Sequence, residues 1–252
     1  QLGLRTALVE KAQLGGVCLN WGCIPTKALL RSADVLRLIG SAGSFGIEVG
    51  PARPDLKAIV KRSRDVAAQL HRGVSGLMKK HRIQVFNGHA RLDGPQRLKV
   101  SGEQGELSLN APHIILATGA RARVLPGMEP DGKHFWSYRQ ALVPDSVPKR
   151  LVIIGGGAIG IEFASFYHAL GAQVSVVEMA ERILPVEDHE VSAHVAQALV
   201  RDGIRLYTGC ALQGSKVEQG AVQLRLEGNS NETLQADVVL VAAGIVGNVE
   251  EL

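Results

Sequence analysis

Two cysteines in the run GGVCLNWGCIPTKALL, Cys18 and Cys23, are by type and spacing the residues of this chain best suited to chemistry, because paired thiols beside a helix start can form a reactive disulfide. A regular helix would hold positions i and i+5 roughly 7.5 Å apart along its axis and about 140° out of phase, too far for a disulfide. A bend between the sulfurs is therefore predicted, with Gly22 supplying the freedom. Pro25 then suits the first turn of a helix running through Thr26, Lys27, Ala28, Leu29 and Leu30. Cys23 would stand at that helix's N-terminus, where the macrodipole and Lys27 favour thiolate over thiol. The competing reading is an ordinary stabilising disulfide, or two unpaired core thiols. A Cys-dense secreted scaffold does not suit 252 residues with three cysteines, so a reducing compartment is expected. With no second cysteine pair and no histidine pair at ligand spacing beside this one, no metal is expected. Cys210, at the end of RLYTGC, reads as a lone buried thiol.

A second constellation lies in LVIIGGGAIGIEFASFYH. An apolar strand runs into Gly155, Gly157 and Gly160, with Ala158 and Ile159 between the last two, and then into a helix. Glycines so placed allow a tight turn, close approach of a pyrophosphate to backbone N–H groups, and close helix-to-strand packing. Glu178, 18 residues past Gly160, ends the next strand. There it can accept hydrogen bonds from an adenosine ribose and repel a 2′-phosphate, which favours NAD over NADP.

The start of the chain echoes this unit. QLGLRTALVE aligns with ALGAQVSVVE at Leu2/Leu170, Gly3/Gly171, Val9/Val177 and Glu10/Glu178. If the repeat is real, about fifteen to twenty residues carrying a strand and another glycine loop would belong upstream of Gln1. The alternative is chance similarity of two short strands, with Glu10 a surface cap.

Composition bounds the rest. Hydrophobic residues at 46% and charged residues at 21% suit one or two globular α/β domains. The longest apolar stretch, near Val238 to Val246, is about half the length a bilayer crossing needs, so a soluble protein is expected, with no membrane partner. The formal charge of +4 is dispersed, and its densest basic run, KRSRDVAAQLHRGVSGLMKKHR, falls in an amphipathic helix predicted from Asp55 to His81 with a solvated basic face. Its apolar positions are Ile59, Val60, Val66, Leu70, Val74, Leu77 and Met78. Aromatic residues, at 4%, do not interleave with these charges, which argues against nucleic acid. Short strands are predicted near Val85, Arg97 to Val100, Glu106 to Leu109 and Ile114 to Ala117. Ala117, Thr118 and Gly119 are small enough to let the chain pass close to a flat or phosphorylated ligand. Pro126, Pro130, Pro144 and Pro148 mark residues 125–149 as a linker between units at 1–124 and 150–252. Further on, a helix from about Asp188 to Arg201 and the strand ADVVLVAAG complete βαβ elements of a parallel sheet, which brings Gly244 to its carboxyl edge.

GGVCLNWGCIPTKALL, ATGA, GGGAIGIE, VVE and VAAGIVGNVEEL, in this order, resemble the flavin-dependent pyridine nucleotide disulfide oxidoreductases, and within them the dihydrolipoyl dehydrogenases. The resemblance implies two Rossmann-like dinucleotide-binding domains, the first incomplete, with the C-terminal dimerisation domain absent. It implies that Cys18 is the outer thiol meeting dihydrolipoamide, that Cys23 lies against the flavin, and that Lys27 approaches the flavin and pairs with Glu162. FAD would be met by Glu10, Lys11, Gly15, Gly16, Val17, Thr118 and Gly119, with Ala117 beside them and His89 and Ala90 flanking the adenine. NAD would be held by Gly155 to Gly160, Glu178, Ala211 and Gly244. The implied reaction is oxidation of protein-bound dihydrolipoamide by NAD⁺, with the lipoyl domain of a 2-oxo acid dehydrogenase or related complex as partner, a homodimer at full length, and a bacterial cytoplasmic or mitochondrial matrix setting. The family takes its base from a His-x-x-x-x-Glu pair, and none of the eight histidines here has that spacing. As given, the chain would then be inactive. Mercuric, glutathione or trypanothione reductase types, or a fragment that binds NAD without catalysis, are the other readings.

Overall fold

The computed structural model describes residues 3–103 and 105–252, so Leu2 of the aligned repeat lies outside the described residues. The first half runs β1 (Ala7–Glu10), α1 (Gly16–Trp21), α2 (Cys23–Ser41), a 3-10 turn (Ala42–Phe45), α3 (Leu56–Lys80) and β2 (Gln84–Asn87). A meander follows, β3 (His89–Leu92), β4 (Arg97–Gly102) and β5 (Gly105–Asn110), then β6 (Ala120–Ala122). β1 and β2 pair in parallel, and the meander is antiparallel.

Next come β7 (Phe135–Trp136), α4 (Tyr138–Leu142), β8 (Arg150–Ile154), α5 (Ala158–Ala169), β9 (Gln173–Val177), α6 (His189–Asp202) and β10 (Arg205–Tyr207). The chain closes through β11 (Cys210–Glu218), β12 (Ala221–Gly228), β13 (Thr233–Ala236), β14 (Val238–Val241) and β15 (Ile245–Gly247). Five strands form a parallel sheet in the order β10-β9-β8-β14-β7. All four residues of β14, and four of the five in β8, are buried, as continuous apolar runs must be in a sheet covered on both faces. The crossover β8–α5–β9 carries the glycine motif. The fold is thus α/β, with a complete dinucleotide-type unit after a partial one.

α3 begins at Asp55, whose carboxylate accepts the Ala58 N–H at 3.0 Å, and ends at His81 behind Lys79 and Lys80. Its fully buried positions are Ser63 and Ala67, small residues one turn apart that let α2 come close, whereas Leu70 and Leu77 remain exposed.

Two expectations are corrected. Residues 114–117 form no strand: Ile115 is 89% exposed and Leu116 52%, and among the described residues no strand lies beside this apolar run to take its backbone groups. The segment 125–149 is not a bare linker. Asp131 accepts the N–H groups of Lys133, His134 and Phe135, which turns the chain into β7 beside β14. A Ser137–Gln140 capping box then starts α4. Phe135, Trp136, Ala141 and Leu142 are buried. The prolines fall around these elements rather than within them, which is why composition hid them.

The main core joins the halves. Leu29 and Ala33 of α2 pack with Phe163, Phe166 and Tyr167 of α5 and with Leu151, Ile153 and Leu240 of the sheet.

Candidate active site

Cys18 and Cys23 form a disulfide across a break between two helices, with Cα atoms 4.7 Å apart. α1 starts after Gly15, held at φ 102, and stops at Gly22, where a Cβ would meet the Val17 carbonyl and Cys18 Cα at 3.1 Å. A side chain at Gly22 would therefore press on the backbone of α1 as well as resist the bend. Thr26 caps the joint: its hydroxyl and its N–H both donate to the Gly22 carbonyl, at 2.8 and 3.0 Å. Cys23 is the first residue of α2, with Pro25 in the first turn, so its sulfur stands where the helix presents unpaired N–H groups. Both cysteines are solvent-exposed.

The supports of this turn come partly from the basic run of α3. Arg64 donates to the Asn20 carbonyl at 2.6 Å and Arg62 to the Ala28 carbonyl at 2.8 Å, while His71 Nδ1 lies 2.9 Å from the Leu14 carbonyl. These residues face the redox turn, contrary to a wholly solvated basic face. Asn20, 4% exposed, donates its amide to the carbonyls of Leu14 and Gly16 at 3.0 Å each. The Trp21 ring carries two guanidiniums, Arg64 at 4.2 Å and Arg139 of α4 at 4.8 Å from its centroid. Burial and the neighbouring Arg139 charge lower the Arg64 pKa. Such stacking is worth on the order of 1 kcal/mol per cation, and here it ties the end of α1 to both halves. A carbonyl-anchoring Asn between two cysteines was a signal open to sequence reading; the arginine contacts were not.

Lys27, one turn beyond Cys23, places Nζ 2.5 Å from Glu162 Oε1 on α5, joining residues 135 positions apart. Of the expected charged contacts this is the one that links the two halves at the redox turn.

At the second constellation, Gly155 has φ 111, and a Cβ there would collide with the Ala242 carbonyl; one on Gly160 would collide with the Gly155 carbonyl. Gly157 differs. Its φ is −74 and nothing stands within 4 Å of where its Cβ would be, so neither backbone nor packing calls for glycine there, and the face of the loop is open at that point. Glu178 accepts the Gly156 N–H at 2.6 Å and the Ala180 N–H at 2.8 Å. Glu10 accepts the Ala12 N–H at 2.8 Å, the same i+2 contact.

The family model for pyridine nucleotide-disulphide oxidoreductase matches residues 1–252. The chain belongs to this family. Curated relatives named dihydrolipoyl dehydrogenase include one from Rhizobium etli, 46% identical over all of this chain and 56% of its own length, and one from Zymomonas mobilis, 48% identical over all of this chain and 55% of its own. The chain therefore spans about half the length of the curated relatives it matches. Among solved structures, LpdA from Mycobacterium tuberculosis superposes with a TM-score of 0.90 at 24% identity, over 98% of this chain and 54% of that one, which shows the fold. The HOCl-induced flavoprotein disulfide reductase RclA from Escherichia coli gives 0.82 at 27% identity, over 99% and 53%.

As a disulfide oxidoreductase chain, the molecule arranges the remaining expected residues unevenly. Lys11 and Gly15, between β1 and α1, and Gly16 and Val17, which open α1, are exposed, with open space where a Gly16 Cβ would stand. His89 and Ala90 pair with Ser101 and Val100 in the first meander, and Ala211 pairs with Glu227 in the second. Ala158 and Ile159 open α5 with exposed side chains, and Gly244 accepts the Arg123 N–H at 3.0 Å. Ala117, Thr118 and Gly119 are exposed, and the last two are held by a residue that the sequence did not single out. Asn248 accepts the Thr118 hydroxyl on its carbonyl at 2.5 Å, donates its amide to the Thr118 carbonyl at 2.9 Å, and donates its N–H to the Gly119 carbonyl at 2.9 Å. Among the described residues Glu10 is not brought to a glycine loop of the kind that Glu178 meets. The open positions at Gly16 and Gly157, with exposed residues around them, leave room for a ligand at both constellations. Among the described residues no cluster suited to a metal ion occurs, and no helix is long and apolar enough to cross a membrane.

Proposed function

We propose that this chain is the redox-disulfide and dinucleotide portion of a dihydrolipoyl dehydrogenase, oxidising protein-bound dihydrolipoamide with reduction of NAD⁺. The observation that carries this reading is an exposed Cys18–Cys23 disulfide at a helix N-terminus, one turn from a Lys27–Glu162 pair that joins the two nucleotide-type halves. Relatives of that name at 46–48% identity support the substrate choice.

In this reading a substrate thiolate attacks Cys18 Sγ, the Cys18–Cys23 bond breaks, and Cys23 leaves as a thiolate held by the N–H groups opening α2. The second substrate thiol attacks the substrate sulfur of the mixed disulfide, releasing the cyclic disulfide and Cys18 thiol. Two electrons then reside on the protein's thiol pair. FAD, when bound, supplies the two-electron link from that pair to NAD⁺. Glu10, Lys11, Gly15, Gly16, Val17, His89, Ala90 and the 117–119 turn hold FAD. The loop from Gly155 to Gly160, with Glu178, Ala211 and Gly244, holds NAD. Lys27 would supply positive charge to bound FAD, and Glu162 would orient Lys27. A lipoyl domain is the partner, a homodimer the assembly and the bacterial cytoplasm the setting, which the bacterial relatives support.

The test is to purify the intact protein, record its colour, and follow NADH formation with dihydrolipoamide. A yellow protein with dihydrolipoamide-dependent turnover is expected, and Cys23→Ser should lower turnover by roughly a thousandfold or more while flavin stays bound. A colourless protein, or one that oxidises another dithiol far faster, would overturn the assignment.

A further inference from the structure

Leu184 is the only apolar member of the five non-glycine residues with positive φ among the described residues, at φ 47. The others, Arg82, Gln96, Gln219 and Glu251, are polar. An apolar residue with no side-chain hydrogen bond to offer its own backbone is not held in the left-handed region without cause. The cause lies at the glycine loop: the Leu184 N–H donates to the Gly156 carbonyl at 2.7 Å.

We infer that Leu184 is a positioning residue for the dinucleotide loop, fixing the plane of the Gly156–Gly157 peptide so that the Gly157 N–H faces away from the 182–187 segment. In a trans peptide the carbonyl and the following N–H point in opposite directions, so holding one aims the other. The preceding peptide is pinned as well, through the Gly156 N–H donated to Glu178 Oε2 at 2.6 Å. Gly156, which the glycine pattern leaves free, is boxed between these two supports: a Cβ there would lie 3.0 Å from Glu178 Cβ and 3.1 Å from Ile183 Cγ2. A side chain at 156 would have to displace both neighbours by a few tenths of an ångström.

The segment holding Leu184 is braced from three directions. Ser192 on α6 donates to the Ile183 carbonyl at 2.5 Å, Glu187 donates its N–H to the Leu184 carbonyl at 3.0 Å, and Arg182 reaches the Pro185 carbonyl at 2.9 Å. Ile183 is buried, and the Leu184 side chain packs against the main core. That packing offsets the cost of the left-handed backbone.

This role rests on the NAD reading above, and the two fail in different ways. NAD⁺ affinity is measured by calorimetry on the intact, flavin-loaded protein and on Leu184→Gly, Leu184→Asn, Leu184→Ala and Leu184→Val, with thermal unfolding of each. Gly and Asn tolerate the left-handed region, so they should bind within about twofold of the parent although they lose the leucine's packing. Ala loses the packing without gaining that tolerance, and β-branched Val resists the conformation outright; both should bind about five- to tenfold more weakly. If Val instead binds like the parent while Gly and Asn weaken, the side chain matters and the backbone role is wrong. Equal affinity in all four variants also overturns it. A parent that binds no NAD⁺ removes the nucleotide reading itself, and this role with it.

Discussion

β1 with Glu10 and β9 with Glu178 are built alike for a distance and then diverge. Each strand pairs in parallel with the strand that follows its helices, β2 or β10. Each acid takes the N–H two residues on, and the Glu10 and Glu178 carbonyls accept the N–H groups of Gly88 and Cys210 at 3.0 and 3.1 Å. An antiparallel three-stranded meander follows in both. After it comes an apolar run, IILA at 114–117 or VVLV at 238–241. The second run is β14, wholly buried between β8 and β7; the first is exposed and unpaired. The difference is β8. It stands between β9 and β14, and among the described residues no strand stands between β1 and residues 114–117. Similar sequence thus yields a strand only where a neighbour takes its backbone groups.

The largest effect that could break this comparison is in hydrogen exchange. Amides of Val238 to Val241 should exchange at least about a thousandfold more slowly than those of Ile114 to Ala117, since the former open only with the sheet. Comparable protection at the two sites would mean that residues 114–117 find a partner after all. Truncating a buried and an exposed apolar side chain should differ in the same sense. Tyr167 is fully buried against Trp136, Phe163 and Phe166, its hydroxyl donating to the Ala141 carbonyl at 2.7 Å, and burial pushes its phenol well above the ordinary range. Tyr167→Ala should cost about 3–5 kcal/mol in denaturant unfolding. On α2 of the first half, Leu38 is 54% exposed, and Leu38→Ala should change stability by about 0.5 kcal/mol or less.

What the sequence disclosed follows the same division. The bend at Gly22, α3 and the strand–glycine–helix unit were legible because their signals are local, or lie within one βαβ crossover, whereas the Lys27–Glu162 approach, 135 positions apart, was implied only by the family resemblance. Residues 114–117 carried a strand pattern that only a tertiary neighbour could realise. β7 and α4 were hidden among prolines that flank them. Arg62 and Arg64 read as solvated charge because a guanidinium's partner on another helix leaves no trace in spacing. Leu184 and Asn248 act through backbone groups, which a side-chain motif does not report.

A smaller difference should separate the two acids. Glu178 satisfies two N–H groups, one of them on the glycine loop, and Glu10 only one. Glu178→Ala should destabilise by about 1–3 kcal/mol and Glu10→Ala by less than about 1 kcal/mol, measured in parallel denaturant titrations. Equal losses would mean that the loop contact at Gly156 contributes nothing to stability, and that Glu178 matters only to ligand.

The smallest expected effect concerns acid. In the second half, burial pushes the Asp237 carboxyl up, but the Arg150 side chain and N–H, hydrogen-bonded to it at 2.6 to 3.2 Å, outweigh this and hold it below the usual range. A carboxyl depressed in the folded state stabilises fully above its unfolded pKa of about 3.9, and that contribution is lost as pH falls through the lower folded value. In the first half, Glu106 is also held low, first by its hydrogen bond to Lys99, but it is fully solvated and its pairing contributes little to folding. Stability should therefore be flat from pH 7 to about 5 and decline below about 4. Asp237→Asn should flatten that decline, leaving the variant closer to the parent at low pH than at neutral pH, whereas Glu106→Gln should leave the slope as it was. The pair is partly exposed, so the change in melting temperature should be only about 2 °C. A steeper acid decline in Asp237→Asn would reverse the sign of this argument, placing the acid sensitivity in carboxylates of the exposed first half.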